Sequence, residues 1–400
     1  MQPSWSPHGM RIAFAGRIDA SAAAGTAKIG TVQAAGGDVV PVTNDGFLDW
    51  NPVWAPGGDW LYFISNRGGS MNIWRIAINE STGRTSGEPQ PVTTPAPFVA
   101  HLSIAASGNR LAYSAVLETQ NLQQMAFDPA QGEVVGSPVP MTTGSRFWAN
   151  PDPSPDGTSV VFYSQVAPEG DLYVTRTDGS SVLRQLTSDR AVDRVPRWSP
   201  DGGWIATFSD RSGPLQVWMV RPDGSDLQQV TKEPSSVVAW SPDGGRLAVT
   251  RQSRVADRVS ASIINPHLPP DAQTPIDLPP APGPSPRFAP NSWSPDGKWL
   301  AGQNGFTTPG ISIYSIEARS FERVSEIGEW PVWLPDSRRI LYIARGREFH
   351  LLDTRTKADR IVFSVKRDTL GSPRLTRDGR AAFFSRRVTE ADVWLVDFGQ

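Results

Sequence analysis

Short runs of alternating apolar and polar residues recur along the whole chain and are separated by turns rich in proline, aspartate and glycine. Typical runs are Leu61-Tyr62-Phe63-Ile64, Val160-Val161-Phe162-Tyr163 and Gln216–Val220. Runs of this length and composition predict β-strands, and Pro-Asp-Gly segments predict tight turns. Long stretches with the 3.6-residue period of an amphipathic helix are missing from the sequence. The pattern therefore predicts an all-β protein.

One motif, Trp-Ser-Pro-Asp-Gly followed by an apolar strand, is repeated along the chain. Its spacing of 40 to 53 residues, with four predicted strands per copy, is typical of β-propeller blades. Counted on the tryptophan position, the nine copies start at Trp5, Trp54, Ile104, Pro153, Trp198, Trp240, Trp293, Trp333 and Leu375.

The repeat predicts a single closed β-propeller domain over residues 1–400, built from four-stranded blades. We count nine blades, with eight as the alternative because the last copy contains only three predicted strands. A proline-rich insertion, Pro266 to Pro286, is expected to be an exposed loop without regular structure. The predicted blades are residues 2–44, 49–94, 100–144, 150–188, 194–232, 236–280, 289–326, 329–365 and 370–398.

The motif residues Trp198-Ser199-Pro200-Asp201-Gly202 and the strand after them resemble the WD40-like propeller repeat of the TolB type. The resemblance covers essentially the whole chain. Residues 389–396 are similar to the last blade of bacterial propellers fused to kinase or sensor domains. The resemblance implies binding of proteins or small ligands. TolB itself is a six-bladed periplasmic scaffold, so the motif count here departs from that family.

Composition narrows the possible functions. The net charge of −2 does not indicate the basic surface that nucleic-acid-binding proteins usually have. The absence of cysteine excludes disulfides and thiolate chemistry. No apolar run is long enough to predict a membrane span, and the first residues lack a signal-peptide pattern. We therefore expect a monomer without cofactor or metal, in either the periplasm or the cytoplasm.

Aromatic and charged residues outside the motif positions cluster in the segments that precede each first strand. Propellers gather these segments on one face, around the mouth of the central channel. Tryptophan and arginine contribute much binding energy per residue, so this face is the predicted contact surface for a protein or peptide. The candidate binding residues are Asp49, Trp50, His101, Arg146, Phe147, Trp148, Asn150, Arg194, Arg287, Phe288, Glu329 and Trp330.

Catalytic signatures are weak. The four histidines lie far apart in sequence, and neither a Gly-x-Ser-x-Gly elbow nor the Ser-x-Asp-x-Gly-x-Thr-Trp box of sialidases occurs. The sequence therefore predicts a non-catalytic scaffold. The alternatives are a sensor module for a sugar or peptide, and a lyase or glycosidase acting in the channel. The motif aspartates, which include Asp156, Asp201 and Asp243, are expected to stabilise turns and not to bind metal.

Overall fold

The computed structural model describes residues 3–16, 27–67, 71–93, 98–164, 170–180, 183–251, 261–282, 287–304 and 309–398. Within those ranges the regular elements are antiparallel β-strands and a short 3₁₀ segment, Pro270–Ala272. The prediction of an all-β protein built from four-stranded sheets is confirmed.

The first part of the chain forms two four-stranded sheets in sequence order. Sheet 1 contains β1 (Ser4–Trp5), β2 (Arg11–Gly16), β3 (Lys28–Gln33) and β4 (Val40–Pro41). Sheet 2 contains β5 (Asp49–Trp54), β6 (Trp60–Ser65), β7 (Asn72–Ile78) and β8 (Thr85–Pro91). Three further strands follow: β9 (Phe98–Ile104), the long β10 (Arg110–Asp128) and β11 (Glu133–Pro140).

Five more four-stranded sheets come next, each from consecutive strands. Sheet 3 contains β12 (Trp148–Pro153), β13 (Ser159–Ser164), β14 (Leu172–Arg176) and β15 (Arg184–Gln185). Sheet 4 contains β16 (Asp193–Trp198), β17 (Ile205–Ser209), β18 (Gln216–Val220) and β19 (Gln228–Gln229). Sheet 5 contains β20 (Ser235–Trp240), β21 (Leu247–Arg251), β22 (Ala261–Ile264) and β23 (Ile276–Asp277).

Sheet 6 contains β24 (Ala289–Trp293), β25 (Trp299–Gln303), β26 (Ile311–Ser315) and β27 (Ser320–Ser325). Sheet 7 contains β28 (Glu329–Trp333), β29 (Arg339–Ala344), β30 (Glu348–Asp353) and β31 (Asp359–Ser364). The chain ends with β32 (Thr369–Leu370), β33 (Arg374–Leu375) and the long β34 (Ala381–Asp397).

The third and ninth copies of the motif share one sheet. This composite sheet has the order β11-β10-β34-β32, with β9 paired to β10 and β33 paired to β34. The described strands therefore form eight sheets, and the nine motif copies do not each build a sheet of their own. The number of motif copies and the number of described sheets differ because β10 lies next to β34, which is far away in sequence, and a motif alignment does not register such pairing.

The chain divides into two compact units, and the boundaries fall inside the two long strands. The smaller unit contains Met1–Glu118 and Thr389–Gln400, and the larger unit contains Thr119–Val388. β10 and β34 each contribute their residues to both units. In the larger unit, the composite sheet has the four-strand order β33-β34-β10-β11, which is the order of an ordinary blade.

Apolar clusters join the sheets of the larger unit face to face. Separate clusters link sheets 3 and 4, sheets 4 and 5, sheets 5 and 6, and sheets 6 and 7. Met125 and Phe384 of the composite sheet pack against sheet 7, whereas Leu122 and Phe383 pack against sheet 3. Each of these six sheets therefore buries apolar side chains against two others.

The smaller unit is also held by apolar clusters. Ile29 of sheet 1 packs with Leu61 and Phe63 of sheet 2. A second cluster joins sheet 2 to β9 and the first part of β10, and Val396 and Phe398 from the end of the chain pack against it. The last residues of the chain therefore complete a core formed by residues near its start.

The motif turn has the predicted structure. In the copy at Trp198, Ser199 Oγ donates to Asp201 Oδ1 at 2.5 Å and accepts from the Trp204 amide at 2.9 Å. The Gly203 amide donates to Asp201 Oδ1 at 3.0 Å, and Gly202 has φ of 72°, which glycine adopts without strain. The side-chain and backbone hydrogen bonds lower the pKa of Asp201 below its ordinary value. The prediction that these aspartates stabilise turns is therefore confirmed.

One other expectation needs correction. The proline-rich insertion was expected to lack regular structure, yet it contains β23, which pairs with β22 and supplies the fourth strand of sheet 5. Periodicity could not reveal this strand because it has only two residues.

Candidate functional site

The first strand of several sheets has a β-bulge at one equivalent position, three residues before the motif residue. Asn51, Asn150, Val195 and Trp330 occupy this position with φ between 49° and 53°. The strand register shifts there in each case. Left-handed backbone is costly for a β-branched residue such as Val195, and bulges of this kind redirect neighbouring side chains. The bulges therefore lie near the beginning of the first strands, which is the end of each sheet where the candidate residues are found. We refer to this end as the edge.

Trp330 occupies a central position in the larger unit. Its half-buried side chain packs against the cluster of sheet 7 and also against the cluster of sheets 3 and 4. Its amide donates to Oε1 of Gln303 in sheet 6, at 3.1 Å. Trp330 therefore contacts residues of several sheets of the larger unit.

Polar groups of the same edge accompany Trp330. Glu329 is exposed, and partial desolvation raises the pKa of its carboxyl above the ordinary value. Arg194 and Asn150 are half-buried, and within the part of the chain that the structure describes, Arg194 Nε and Asn150 Nδ2 have no hydrogen-bond acceptor. The first strands of sheets 3, 4 and 7 therefore carry, at or next to equivalent positions, an aromatic ring, an exposed carboxyl group and two donors that are unpaired among the described residues.

Among the candidate residues in and next to sheet 3, Trp148 packs in the interior of the protein. Trp148 is 3% exposed and meets Phe162 and Tyr173 edge to face, with ring centroids 5.4 and 5.0 Å away. Arg146 covers Trp148 at 5.8 Å and donates to the Tyr173 hydroxyl at 3.2 Å. Trp148 is thus a core residue, which corrects its assignment to a contact surface. Phe147, half-buried, lies under the Arg387 guanidinium at 5.5 Å.

Asp49 also differs from the prediction, because it is fully buried and paired with Arg67 at 3.0 Å. Sheet 4 repeats this arrangement: Asp193, equally buried, accepts from Arg211 at 2.8 and 2.7 Å. Arg211 stacks over Trp218, just as Arg67 stacks over the equivalent tryptophan of sheet 2. The pair joins the start of the first strand to the loop after the second, so Asp49 has a structural role.

The twelve candidates are divided between the two units. Asp49, Trp50 and His101 belong to the smaller unit, and the others belong to the larger one. His101 and Arg287 are exposed, whereas Trp50 packs half-buried against the core of the smaller unit. Phe288 is fully buried and meets Phe321 edge to face at 4.8 Å, so it too is a core residue and not a contact residue.

Sequence reasoning missed a buried polar cluster on the first strands of the larger unit. Asp152 accepts from the Trp198 amide at 2.8 Å, and its other oxygen lies 3.7 Å from Arg374 Nε. Arg374 reaches the Asn291 carbonyl oxygen of sheet 6 at 3.0 Å. Asp152, Arg197 and Arg374 each come directly before a motif residue, which is the signal that could have identified them.

Burial dominates the electrostatics of this cluster. It raises the pKa of Asp152, although the positive charges of Arg197 and Arg374 oppose the change. It lowers the pKa of Arg197 strongly, and the nearby charge of Arg374 lowers it further. The guanidinium groups nevertheless stay protonated, because arginine is not deprotonated in proteins. Two buried guanidinium groups, those of Arg197 and Arg374, therefore interact with the single carboxylate of Asp152.

Among the described residues, histidine and acidic side chains form no group that could hold a metal ion. The same residues contain no helix long and apolar enough to cross a membrane.

Comparison with known proteins agrees with this architecture. Residues 140–268 match the model of the TolB beta propeller domain. A solved TolB-type protein from Agrobacterium tumefaciens superimposes with a TM-score of 0.54 at 18% identity, covering 68% of this chain and 99% of that chain. The resemblance to TolB-type propellers is confirmed. At this identity the structural similarity shows the fold alone.

Two curated relatives are named as peptidases. Over 112 residues the chain is 38% identical to the uncharacterized peptidase YuxL of Bacillus subtilis, covering 25% of this chain and 17% of that protein. Over 105 residues it is 32% identical to dipeptidyl-peptidase 5 of Porphyromonas endodontalis, covering 24% of this chain and 15% of that protein. The chain spans less than a fifth of either relative. These names correct the prediction that the protein is not an enzyme.

Proposed function

We propose that residues 119–388 form a closed six-bladed TolB-type propeller that binds a peptide or protein segment at its channel mouth. The clusters that link each of the six sheets to two neighbours support closure. The β33-β34-β10-β11 part of the composite sheet completes the ring, so strands far apart in sequence join its last blade. Closure of this kind protects the free edges of the sheets.

The coverage of the Agrobacterium protein supports the same division. Almost all of that chain, 99%, corresponds to 68% of this one. The larger unit, Thr119–Val388, has a similar share of the chain. A six-bladed ring in the larger unit would also remove the conflict between the nine motif copies and the six blades of the family.

The position of Trp330 carries the binding proposal. A half-buried tryptophan with left-handed backbone contacts the apolar cluster of sheet 7 and that of sheets 3 and 4, and it follows the exposed Glu329 in sequence. Arg194 and Asn150 contribute donors to the same edge. An aromatic anchor with nearby donors suits a peptide, because the ring supplies contact area and the donors match backbone carbonyl oxygens. Strained backbone at this position is typical of functional sites.

The proposal is tested with an array of random 12-residue peptides, followed by fluorescence anisotropy on the peptides that bind. Trp330→Ala should weaken binding at least ten-fold, and Trp330→Phe should retain most of it. Trp394→Ala, at an exposed tryptophan in the smaller unit, is the matched control and should bind like wild type. Unchanged affinity in a folded Trp330→Ala variant, or an array without binders, refutes the proposal.

A second candidate function follows from the relatives named as peptidases. The propeller would then admit peptides to a catalytic site of the whole protein. Mass spectrometry of the array peptides after incubation with the chain separates the two possibilities. Cleavage products indicate peptidase activity of residues 1–400, whereas intact bound peptides show that these residues recognise peptides without cleaving them. A parallel set of oligosaccharides tests the sensor and the lyase or glycosidase alternatives in the same way.

A further inference from the structure

The buried cluster of the larger unit contains more positive than negative charge. Arg197 and Arg374 are each 4% exposed, and Asp152 is the carboxylate that acts on both. A buried ion is strongly destabilising unless a partner of opposite charge compensates it. One carboxylate compensates one guanidinium, so the second guanidinium lacks its counterpart among the described residues.

The hydrogen bonds of the two arginines show the same deficit. Nη1 of Arg197 donates to the Pro196 carbonyl oxygen at 2.7 Å, and Nη1 of Arg374 donates to the Asn291 carbonyl oxygen. Within the described ranges, Nε and Nη2 of both side chains have no acceptor within hydrogen-bonding distance. Several guanidinium donors are thus buried and unused, which is costly for charged groups.

Two neutral side chains add further donors. The donors are Nδ2 of Asn291 and the Ser372 hydroxyl, which are buried and, like the acceptor Oδ1 of Asn291, lack hydrogen-bond partners among the described residues. Asn291 is the residue whose carbonyl oxygen Arg374 contacts, and Ser372 precedes Arg374 by two positions. Unused polar groups therefore occur on Arg197, on Arg374, on the residue whose backbone Arg374 contacts, and two positions before Arg374.

We propose that Arg197 and Arg374, with the Asn291 amide and the Ser372 hydroxyl, bind a carboxylate group. A carboxylate has two oxygens with about four acceptor positions and one negative charge, which matches the unused donors and the missing charge. Arginine binds such groups through charge-assisted, often bidentate hydrogen bonds. The ligand is either a small free carboxylate or the C-terminus of a peptide. The site does not depend on peptide capture at Trp330.

Thermal unfolding of the full chain tests the site, at one chloride concentration and one ionic strength. Acetate should raise the unfolding midpoint in a saturable manner, because a ligand that binds only the folded state stabilises it. Acetamide, which has the same shape without the charge, should leave the midpoint unchanged. Triglycine with a free C-terminus and its C-terminal amide distinguish the two sources. Preference for free triglycine over acetate indicates a peptide terminus, and the reverse indicates a small carboxylate.

Variants identify the residues involved. Arg197→Met should need at least ten-fold more acetate for the same rise, whereas Arg377→Met, at an exposed arginine of the motif copy that follows Arg374, should respond like wild type. Asn291→Asp places a permanent carboxylate in the cluster. It should raise the midpoint without acetate and abolish the response, so the proposal stays testable if Arg197→Met does not fold. Equal effects of acetate and acetamide, or a lower midpoint in Asn291→Asp, overturn the proposal.

Discussion

The buried pair of Asp193 and Arg211 gives the sharpest prediction about stability. Asp193 is fully buried and accepts two hydrogen bonds from Arg211, whose side chain is 12% exposed. Asp193→Asn removes the charge without a change in shape. Removal of one partner from a buried ion pair costs about 3–5 kcal/mol. Because Arg211 retains Asp189 at 2.7 Å, we expect the lower end, about 3 kcal/mol.

Equilibrium urea unfolding, followed by tryptophan fluorescence, measures this loss. With a urea dependence of about 3 kcal/mol per molar or more, the midpoint should fall by up to ~1 M. The matched control is Asp178→Asn, which removes an exposed pair with Arg176 at 3.4 Å. Exposed pairs contribute about 0–1 kcal/mol, so the control midpoint should move much less. Equal shifts in the two variants would refute the reasoning that burial decides the cost.

Two further predictions concern packing and pH. Gly302→Ala should lower the free energy of unfolding by about 1–3 kcal/mol in urea, because a Cβ there would overlap the Ala289 carbonyl oxygen. The control is Gly46→Ala, where the exposed glycine has open space around it and the change should be near neutral. Hydrogen bonding from Arg338 lowers the pKa of Asp353 to about 2, below the ordinary value of an aspartate. The stabilisation from this pair is complete above pH about 4 and is lost as the pH falls through about 2. Arg338→Met should therefore lower the unfolding midpoint slightly at neutral pH and by less at pH 2, and a loss independent of pH would contradict this assignment.

The motif turn was fully predictable from the sequence. Its hydrogen bonds connect residues that are at most five positions apart, as between Ser199 and Trp204. Such contacts depend on local backbone geometry, which proline, aspartate and glycine specify at their own positions. Sequence reasoning therefore identified strands, turns and the repeat without knowledge of the sheet arrangement.

The candidate site was only partly predictable. Trp330 and Glu329 lie at the expected edge, but Trp148, Phe288 and Asp49 are buried. An aromatic or acidic residue just before a strand has the same appearance in sequence whether it faces solvent or a neighbouring sheet. Its burial depends on which residues of the next sheet lie opposite, and the local pattern does not contain that information.

The sequence by itself determined the strands, the tight turns and the blade-like repeat, because these follow from alternating polarity and from turn residues a few positions apart. Tertiary structure alone decided that β10 pairs with β34, so that two motif copies merge in one sheet. It also brought Asp152, Arg197 and Arg374 into one buried cluster. The physical reason is that hydrogen bonds between distant strands, and the charge balance of a buried site, depend on which segments meet in space.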